Sequence, residues 1–133
     1  MAFDLSEEWV IETEAQLGAR LPAGYRAAMM RRNGGGIVLD GEDWALYPIR
    51  DASDRKRIAR TCNDILRETA ACRAWGGFPP SDLAIAGDGS GDKLVFLRNG
   101  DAYGPAPAIW RHETGGLIAQ APDIGDLSSA LGA

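Results

Sequence analysis

The sequence predicts an α+β fold, organised as a single domain over residues 1–133. Three observations predict it: apolar residues recur at helical spacing in the first part of the chain, a glycine-rich hairpin pattern lies at Ile85–Leu97, and the last third holds short apolar runs separated by glycine turns. A chain of 133 residues has the length of one domain. It can bury roughly two-thirds of its unfolded surface, so neither a disulfide nor a metal ion is needed for stability.

Two helices are predicted near the N-terminus. Asp4 is expected to cap the first helix, with Glu7 at the third helical position completing a capping box, and Gly18 ends it. Pro22 stands at the first position of the second helix, where its missing N–H is harmless. This helix ends at the glycines after Asn33, and its apolar stripe consists of Tyr25, Ala28 and Met29.

The middle of the chain is expected to hold two strands followed by the longest helix. Ile37–Leu39 and Trp44–Ile49 are the predicted strands, and Asp40–Asp43 between them is a turn signal. From about Ser53 to Ala74 we expect one continuous helix, because apolar residues follow the helical period there. These residues are Ile58, Cys62, Ile65, Leu66 and Thr69.

The remainder is predicted to be β-structure that ends in a short helix. Leu83–Ala86 and Leu94–Leu97 are expected to pair as a hairpin across a loop of glycines and aspartates. A short helix from roughly Asp126 to Leu131 is expected to close the chain. The strands predicted in this part are Leu83–Ala86, Lys93–Arg98, Ala108–His112 and Leu117–Ala119.

An excess of acidic side chains limits the possible partners. The chain has 19 acidic and 14 basic side chains and a formal charge of −5. We expect no direct nucleic-acid partner, because phosphate backbones repel such a chain, whereas basic protein surfaces attract it; the alternative is that the acidity only aids solubility. The N-terminus lacks signal-peptide features and no apolar run reaches a membrane span, so we expect a cytoplasmic protein with no membrane contact. Free thiols at Cys62 and Cys72 would suit that compartment.

The glycine loop after Ile85 invites a metal or phosphate hypothesis, which its spacing does not support. Asp88, Ser90 and Asp92 fit the first positions of a calcium loop, but Lys93 and Asn99 stand where glycine and glutamate are required. The loop precedes a strand rather than a helix, so it does not form a phosphate cradle. With one histidine in the chain, a zinc site is not expected either. No metal or cofactor is predicted, and hydrogen bonding of the aspartates to nearby backbone amides is favoured.

The residues also give little support to a catalytic function or to nucleic-acid binding. Ser90 lacks the glycine spacing of a nucleophile elbow. His112 and Glu113 could form an acid–base pair, although a structural pair is the favoured interpretation. The basic residues around Arg57 could contact nucleic acid, but neighbouring carboxylates offset them, so a solvated helix face is favoured. Among the tryptophans, Trp44 is the best candidate for a surface anchor, although burial in the core remains the favoured interpretation.

The order of several motifs carries a family resemblance. Ile11–Gly35 contains the pattern I-E…L-G…L-P-x-x-Y…N-G-G, and Trp44–Ile49 matches the strand that follows it. Phe78–Leu97 matches F-P…I-G-x-x-G-x-G-D…L, although the loop reads G-S-G-D where G-G-G-D is usual. Ala108–Glu113 matches a penultimate strand that often ends in W-x-H-E. In this order and spacing, over nearly the whole chain, the motifs resemble the SUKH superfamily in its Smi/Knr-type branch.

The resemblance implies a fold and a class of function. It implies an α+β domain in which about four helices pack on a twisted, mainly antiparallel sheet of about five to six strands. Many bacterial members are immunity proteins that bind and neutralise polymorphic toxins, often nucleases or deaminases, and others are regulatory scaffolds. The family has no established catalytic residues, so the resemblance assigns none. Asp92 matches the glycine–aspartate hairpin and is expected chiefly to determine the turn.

These observations together predict a non-catalytic protein-binding module. An immunity protein with a cognate, basic toxin is the leading hypothesis, ahead of a regulatory or scaffolding protein and of a small hydrolase that uses His112, Glu113 and the hairpin aspartates. The oligomeric state is left open. The residues expected to contact the partner lie in two loops, with Asp40, Glu42, Asp43 and Trp44 in the first and Asp88 and Asp92 in the second.

Overall fold

The computed structural model describes residues 3–39 and 41–119 and has the α+β class predicted from the sequence. No helix among these residues has the length and apolarity that crossing a bilayer requires. The described helices are α1 (Glu7–Leu17), α2 (Ala23–Arg31), α3 (Arg55–Arg60) and α4 (Ile65–Arg73). The described strands are β1 (Gly35–Leu39), β2 (Glu42–Leu46), β3 (Leu83–Gly87), β4 (Lys93–Phe96), β5 (Arg98–Asn99), β6 (Ala102–Tyr103), β7 (Ala108–Trp110) and β8 (Leu117–Ala119).

Six strands form one antiparallel sheet in the order β1-β2-β3-β4-β7-β8. The predicted glycine hairpin is confirmed as β3–β4, in which Gly87 lies opposite Lys93. The pairs β1–β2 and β7–β8 are also hairpins. Because neighbouring strands alternate in direction, the turns of all three hairpins lie at the same end of the sheet.

The centre of the sheet is buried on both faces. Residues of β3 and β4 such as Ile85 and Val95 are fully buried. One face packs against α2, where the rings of Tyr25 and Phe96 meet edge to face with centroids 5.0 Å apart. The other face packs against α4, where the Thr69 hydroxyl accepts a hydrogen bond of 2.9 Å from the Ala84 amide. The Ala84 amide lies beside a register shift between β3 and β4, and the Thr69 hydroxyl is its hydrogen-bond acceptor.

The predicted helix from Ser53 to Ala74 is wrong, because the structure divides it into α3 and α4. Thr61 begins the turn between them, and its hydroxyl accepts from the Asp51 amide at 3.0 Å. Asp64 then caps α4 by accepting from the Arg67 amide at 2.9 Å. The break turns α4 onto the sheet while α3 stays near the N-terminal segment. An aspartate followed by a new apolar stripe signals the start of a helix. Asp64 gives this signal, but the apolar residues keep the helical period across the break, so the sequence also fits one continuous helix.

Two further differences concern element ends. Ser6 rather than Asp4 is the N-cap residue of α1, and its side chain makes no capping hydrogen bond. The carboxylate of Asp4 instead lies 2.9 Å from Nη2 of Arg57, so an ion pair replaces the predicted capping box. The predicted strand Lys93–Arg98 ends at Phe96, and Arg98 pairs with Tyr103 in the separate β5–β6 ribbon. The helix predicted at 126–131 lies outside the described residues.

Candidate functional site

The two loops predicted to contact a partner lie together at the end of the sheet that carries the hairpin turns. We call this the tip end and define it by residues 41–43, 88–92 and 111–116. Its charges interact. The hydrogen bond that Arg111 donates to Asp92 raises the pKa of Arg111 most, and the negative charges of Glu42 and Asp88 raise it further. Folding therefore gathers acidic residues from three separate turns on one surface.

Asp88 stabilises its own turn. One carboxylate oxygen accepts from the amide of Ser90 at 2.9 Å and from its hydroxyl at 2.8 Å. This is the local aspartate turn that the sequence favoured over a calcium loop. Among residues 3–39 and 41–119, no group of three His, Cys, Asp or Glu side chains is arranged to hold a metal ion.

Asp92 connects the β3–β4 turn to the β7–β8 turn. Its Oδ2 lies 2.7 Å from Nη1 of Arg111, and its Oδ1 accepts from the His112 amide at 3.1 Å and lies 2.7 Å from Nδ1 of the same ring. Gly91 makes room for this ring, because a Cβ at that position would lie 3.0 Å from it. Asp92 thus bonds across the sheet end rather than to amides of its own loop.

The ionisation of Asp92 follows from these contacts. Burial by itself raises the pKa of the carboxyl group, but hydrogen bonds from Arg111 and His112 outweigh this effect and hold the pKa below its ordinary value. Asp92 is therefore a carboxylate at neutral pH. Because its oxygens are occupied by partners in the same chain, it organises the tip end rather than presenting a free charge.

The remaining predicted contacts divide into exposed and buried residues. Glu42 and Asp43 are exposed at the start of β2, where a partner can reach them. Trp44 is 1% exposed and belongs to the core, so the structure contradicts its use as a surface anchor. The reason is register, since Trp44 lies opposite Ile37 on the face of the sheet that packs inward. Asp40 lies outside the described residues.

The tip end contains one arrangement that resembles catalytic machinery. His112 and Asp92 have the spacing of a base and its orienting carboxylate. The nearby Ser90 hydroxyl donates to Asp88 at 2.8 Å instead of to the ring, and Arg111 neutralises Asp92. These contacts are those of a structural cluster. Arg111 was missed by sequence reasoning; a basic residue beside the single histidine was the available signal.

The opposite end of the sheet holds a second buried aspartate. Asp51 accepts from the amide of Ser53 at 3.0 Å and from its hydroxyl at 2.6 Å, and Oδ2 lies 3.0 Å from Nη1 of Arg57. The Arg57 guanidinium also lies 4.7 Å from the ring centroid of Phe3. Burial by itself raises the pKa of Asp51, but these hydrogen bonds hold it below its ordinary value.

Beside Asp51 lies a cleft of about 310 Å³, which we call the arginine cleft. Its walls come from the N-terminal segment, the end of α2, the start of β1 and the turn after α3. Its lining includes Phe3, Arg32, Gly35, Asp51, Arg60 and Asn63.

Comparison with known proteins identifies a family but no individual relative. The family model described as SMI1 / KNR4 family (SUKH-1) matches residues 4–129. No curated protein matches the chain. No solved structure matches it either.

Proposed function

The chain belongs to the SMI1/KNR4 (SUKH-1) family, and from this premise we propose that it is a non-catalytic protein-binding module acting as an immunity protein. In this role it binds and neutralises a cognate polymorphic toxin of the nuclease or deaminase class. The family match over residues 4–129 carries the proposal, because immunity function is common among bacterial members. A regulatory or scaffolding role without a toxin is the alternative.

The tip end is the proposed binding surface. It presents Glu42 and Asp43 beside the turn that holds Asp88, on a chain whose formal charge is −5. A nuclease active-site groove is basic because it must bind phosphates, so acidic side chains that cover it are complementary in charge. Asp92 and Arg111 support this surface by holding two of its turns together.

Co-expression with the product of the neighbouring gene tests the function. We expect the chain to restore growth of cells that produce this toxin and to purify with it as a stable complex. Binding without protection would favour the scaffolding alternative. If the chain neither binds the toxin nor protects the cells, the proposal is contradicted.

Charge reversal tests the surface separately. The double variant Glu42→Lys/Asp43→Lys is expected to weaken toxin binding by at least about tenfold, mainly through slower association at low salt. The matched control is Glu8→Lys/Glu12→Lys, which reverses two exposed charges on α1 and should bind like the wild type. Equal weakening by both variants would show a general charge effect and contradict the proposed surface.

A further inference from the structure

We propose that Trp75 and Leu117 form the apolar centre of the toxin-binding surface, beside the acidic turns of the tip end. This assignment rests on the proposed immunity function and divides the binding surface into two parts. The acidic turns accelerate the encounter with a basic toxin, whereas the apolar centre slows dissociation once the complex has formed.

Trp75 is the tryptophan that the fold leaves accessible to a partner. Trp44 and Trp110 are 1% exposed and Trp9 packs against the core, whereas Trp75 is 48% exposed. It lies just after α4, where its amide donates a hydrogen bond of 3.1 Å to the carbonyl of Cys72. Tryptophan is among the residue types most enriched at the energetic centres of protein interfaces. The role of surface anchor that the sequence suggested for Trp44 is therefore better assigned to Trp75.

The Trp75 ring is held in place by the sheet beneath it. Its centroid lies 6.3 Å from that of the Trp110 ring, with the two rings tilted by 33°. The Lys93 ammonium group lies 5.8 Å from the Trp75 ring centroid and donates a hydrogen bond of 2.6 Å to the Tyr47 hydroxyl. Because the side chain is already ordered by these contacts, it loses less entropy when a partner covers it.

Leu117 extends the apolar surface on the same side of the sheet. It lies directly opposite Trp110 in the β7–β8 pair and is 41% exposed. Residues that lie directly opposite each other in an antiparallel pair point to the same face. Trp75 and Leu117 therefore both border Trp110, the first from the segment after α4 and the second from β8.

The apolar centre is continuous with the tip end. Nε1 of Trp110 donates a hydrogen bond of 3.2 Å to the carbonyl of Gly77, and a Cβ at Gly77 would lie 3.6 Å from Cα of Gly115. The segment that carries Trp75 is therefore packed against the β7–β8 turn, which belongs to the tip end. Leu117 follows this turn directly in the chain.

The charge around the apolar centre favours one partner. The tip end contains five acidic residues and, apart from its histidine, one basic residue, Arg111. Lys93 adds one positive charge beside it, so the surroundings remain net negative. A second copy of this chain carries the same excess of negative charge and is repelled at this surface, whereas a basic toxin is attracted to it. The occupant that fits is therefore the basic toxin.

Association and dissociation rates of the complex with the toxin encoded by the neighbouring gene test the assignment. Trp75→Ala is expected to weaken binding by about 30-fold or more, mainly through faster dissociation, and this effect should persist at high ionic strength. Leu117→Ala should weaken binding by about fivefold, because it removes less apolar area. The matched control is Ile11→Ala, which shortens an exposed apolar side chain on α1 and should change binding less than about twofold.

Two results would overturn the assignment while leaving the proposed function intact. They are unchanged dissociation in Trp75→Ala and equal weakening by Ile11→Ala. If the wild type does not bind the toxin at all, the proposed function fails and the assignment fails with it, so the two failures are distinguishable. Sedimentation of the chain alone adds a further test: a wild-type dimer that Trp75→Ala converts to monomers would show that a second copy covers the apolar centre, which would also overturn the assignment.

Thermal melting shows whether each variant is folded. Should Trp75→Ala unfold, Trp75→Leu replaces it, because leucine keeps an apolar contact with Trp110 but offers less area to a partner. This variant is expected to weaken toxin binding by about tenfold, and wild-type affinity in it would overturn the assignment.

Discussion

The two ends of the sheet each hold a buried aspartate bound to an arginine, but the two pairs connect different parts of the chain. At the tip end, Asp92 and Arg111 connect neighbouring hairpins, and their side chains are 11% and 37% exposed. At the cleft end, Asp51 and Arg57 connect α3 to the segment before it, and their side chains are 2% and 24% exposed. The ion pair at the cleft end is therefore less exposed to solvent than the ion pair at the tip end.

The two Asp–Arg ion pairs serve different purposes in this fold. Arg57 also contacts Asp4 at 2.9 Å, so the cleft-end cluster holds the N-terminal segment in place. The tip-end cluster holds turns that carry exposed acidic residues toward solvent. We infer that the first cluster contributes more to stability and the second more to the shape of a binding surface.

Replacement of Asp51 gives the largest expected effect. Asp51→Ala removes a nearly fully buried carboxylate, takes from Arg57 its most buried partner and leaves the Ser53 amide without its acceptor. The free energy of unfolding should fall by about 3 kcal/mol, measured by urea denaturation. The control Asp54→Ala removes the N-cap of α3 and an exposed carboxylate 3.8 Å from Nε of Arg57, and should cost about 1 kcal/mol. A smaller loss for Asp51→Ala than for Asp54→Ala would contradict the inferred contribution of the cleft-end cluster to stability.

Replacement of Asp92 should cost less. Asp92→Ala leaves Arg111 and His112 unpaired, but both are partly exposed and water can replace some of the lost hydrogen bonds. We expect a loss of about 2 kcal/mol in the same denaturation experiment. A loss larger than that of Asp51→Ala would show that the tip end is the more stabilising cluster.

The pH dependence of stability provides a second test of the ion pair at Asp92. The pKa of Asp92 is lowered in the folded chain, so its contribution to stability is present above the unfolded pKa of about 3.9 and is lost as the pH falls through the lower folded value. Asp92→Asn has no such carboxylate. It should therefore lose less stability than the wild type between neutral and acidic pH, and an equal loss would contradict the assigned ion pair.

The glycines of the β3–β4 turn give the smallest expected effect. Gly91 has a φ of 113°, and a Cβ there would lie 3.0 Å from the His112 ring; Gly89 has a φ of 88° and open space around it. Gly91→Ala should cost about 1.5 kcal/mol and Gly89→Ala about 1 kcal/mol, because only the first adds a contact to the backbone strain. Shifted NMR signals of His112 in Gly91→Ala alone would sharpen the assignment, and unchanged signals would contradict it.

The sequence by itself predicted those features that depend on residues near one another. The β3–β4 hairpin follows from apolar runs on either side of a glycine loop, and the aspartate turn at Asp88 follows from residues two apart. The α+β class and the family were also predicted, because ordered turn and strand motifs extend along the chain.

Which side chains meet depends on how distant segments of the chain pack together. Arg111 lies 19 residues from Asp92 along the chain, and Arg57 lies 53 residues from Asp4, so no local pattern pairs them. Trp44 is buried because strand register turns it inward, and the predicted long helix is interrupted at Thr61, whose hydroxyl accepts from the amide of Asp51 ten residues away. Local propensity specifies turns and periods, whereas burial and ion pairing are settled by contacts that form only when distant segments pack together.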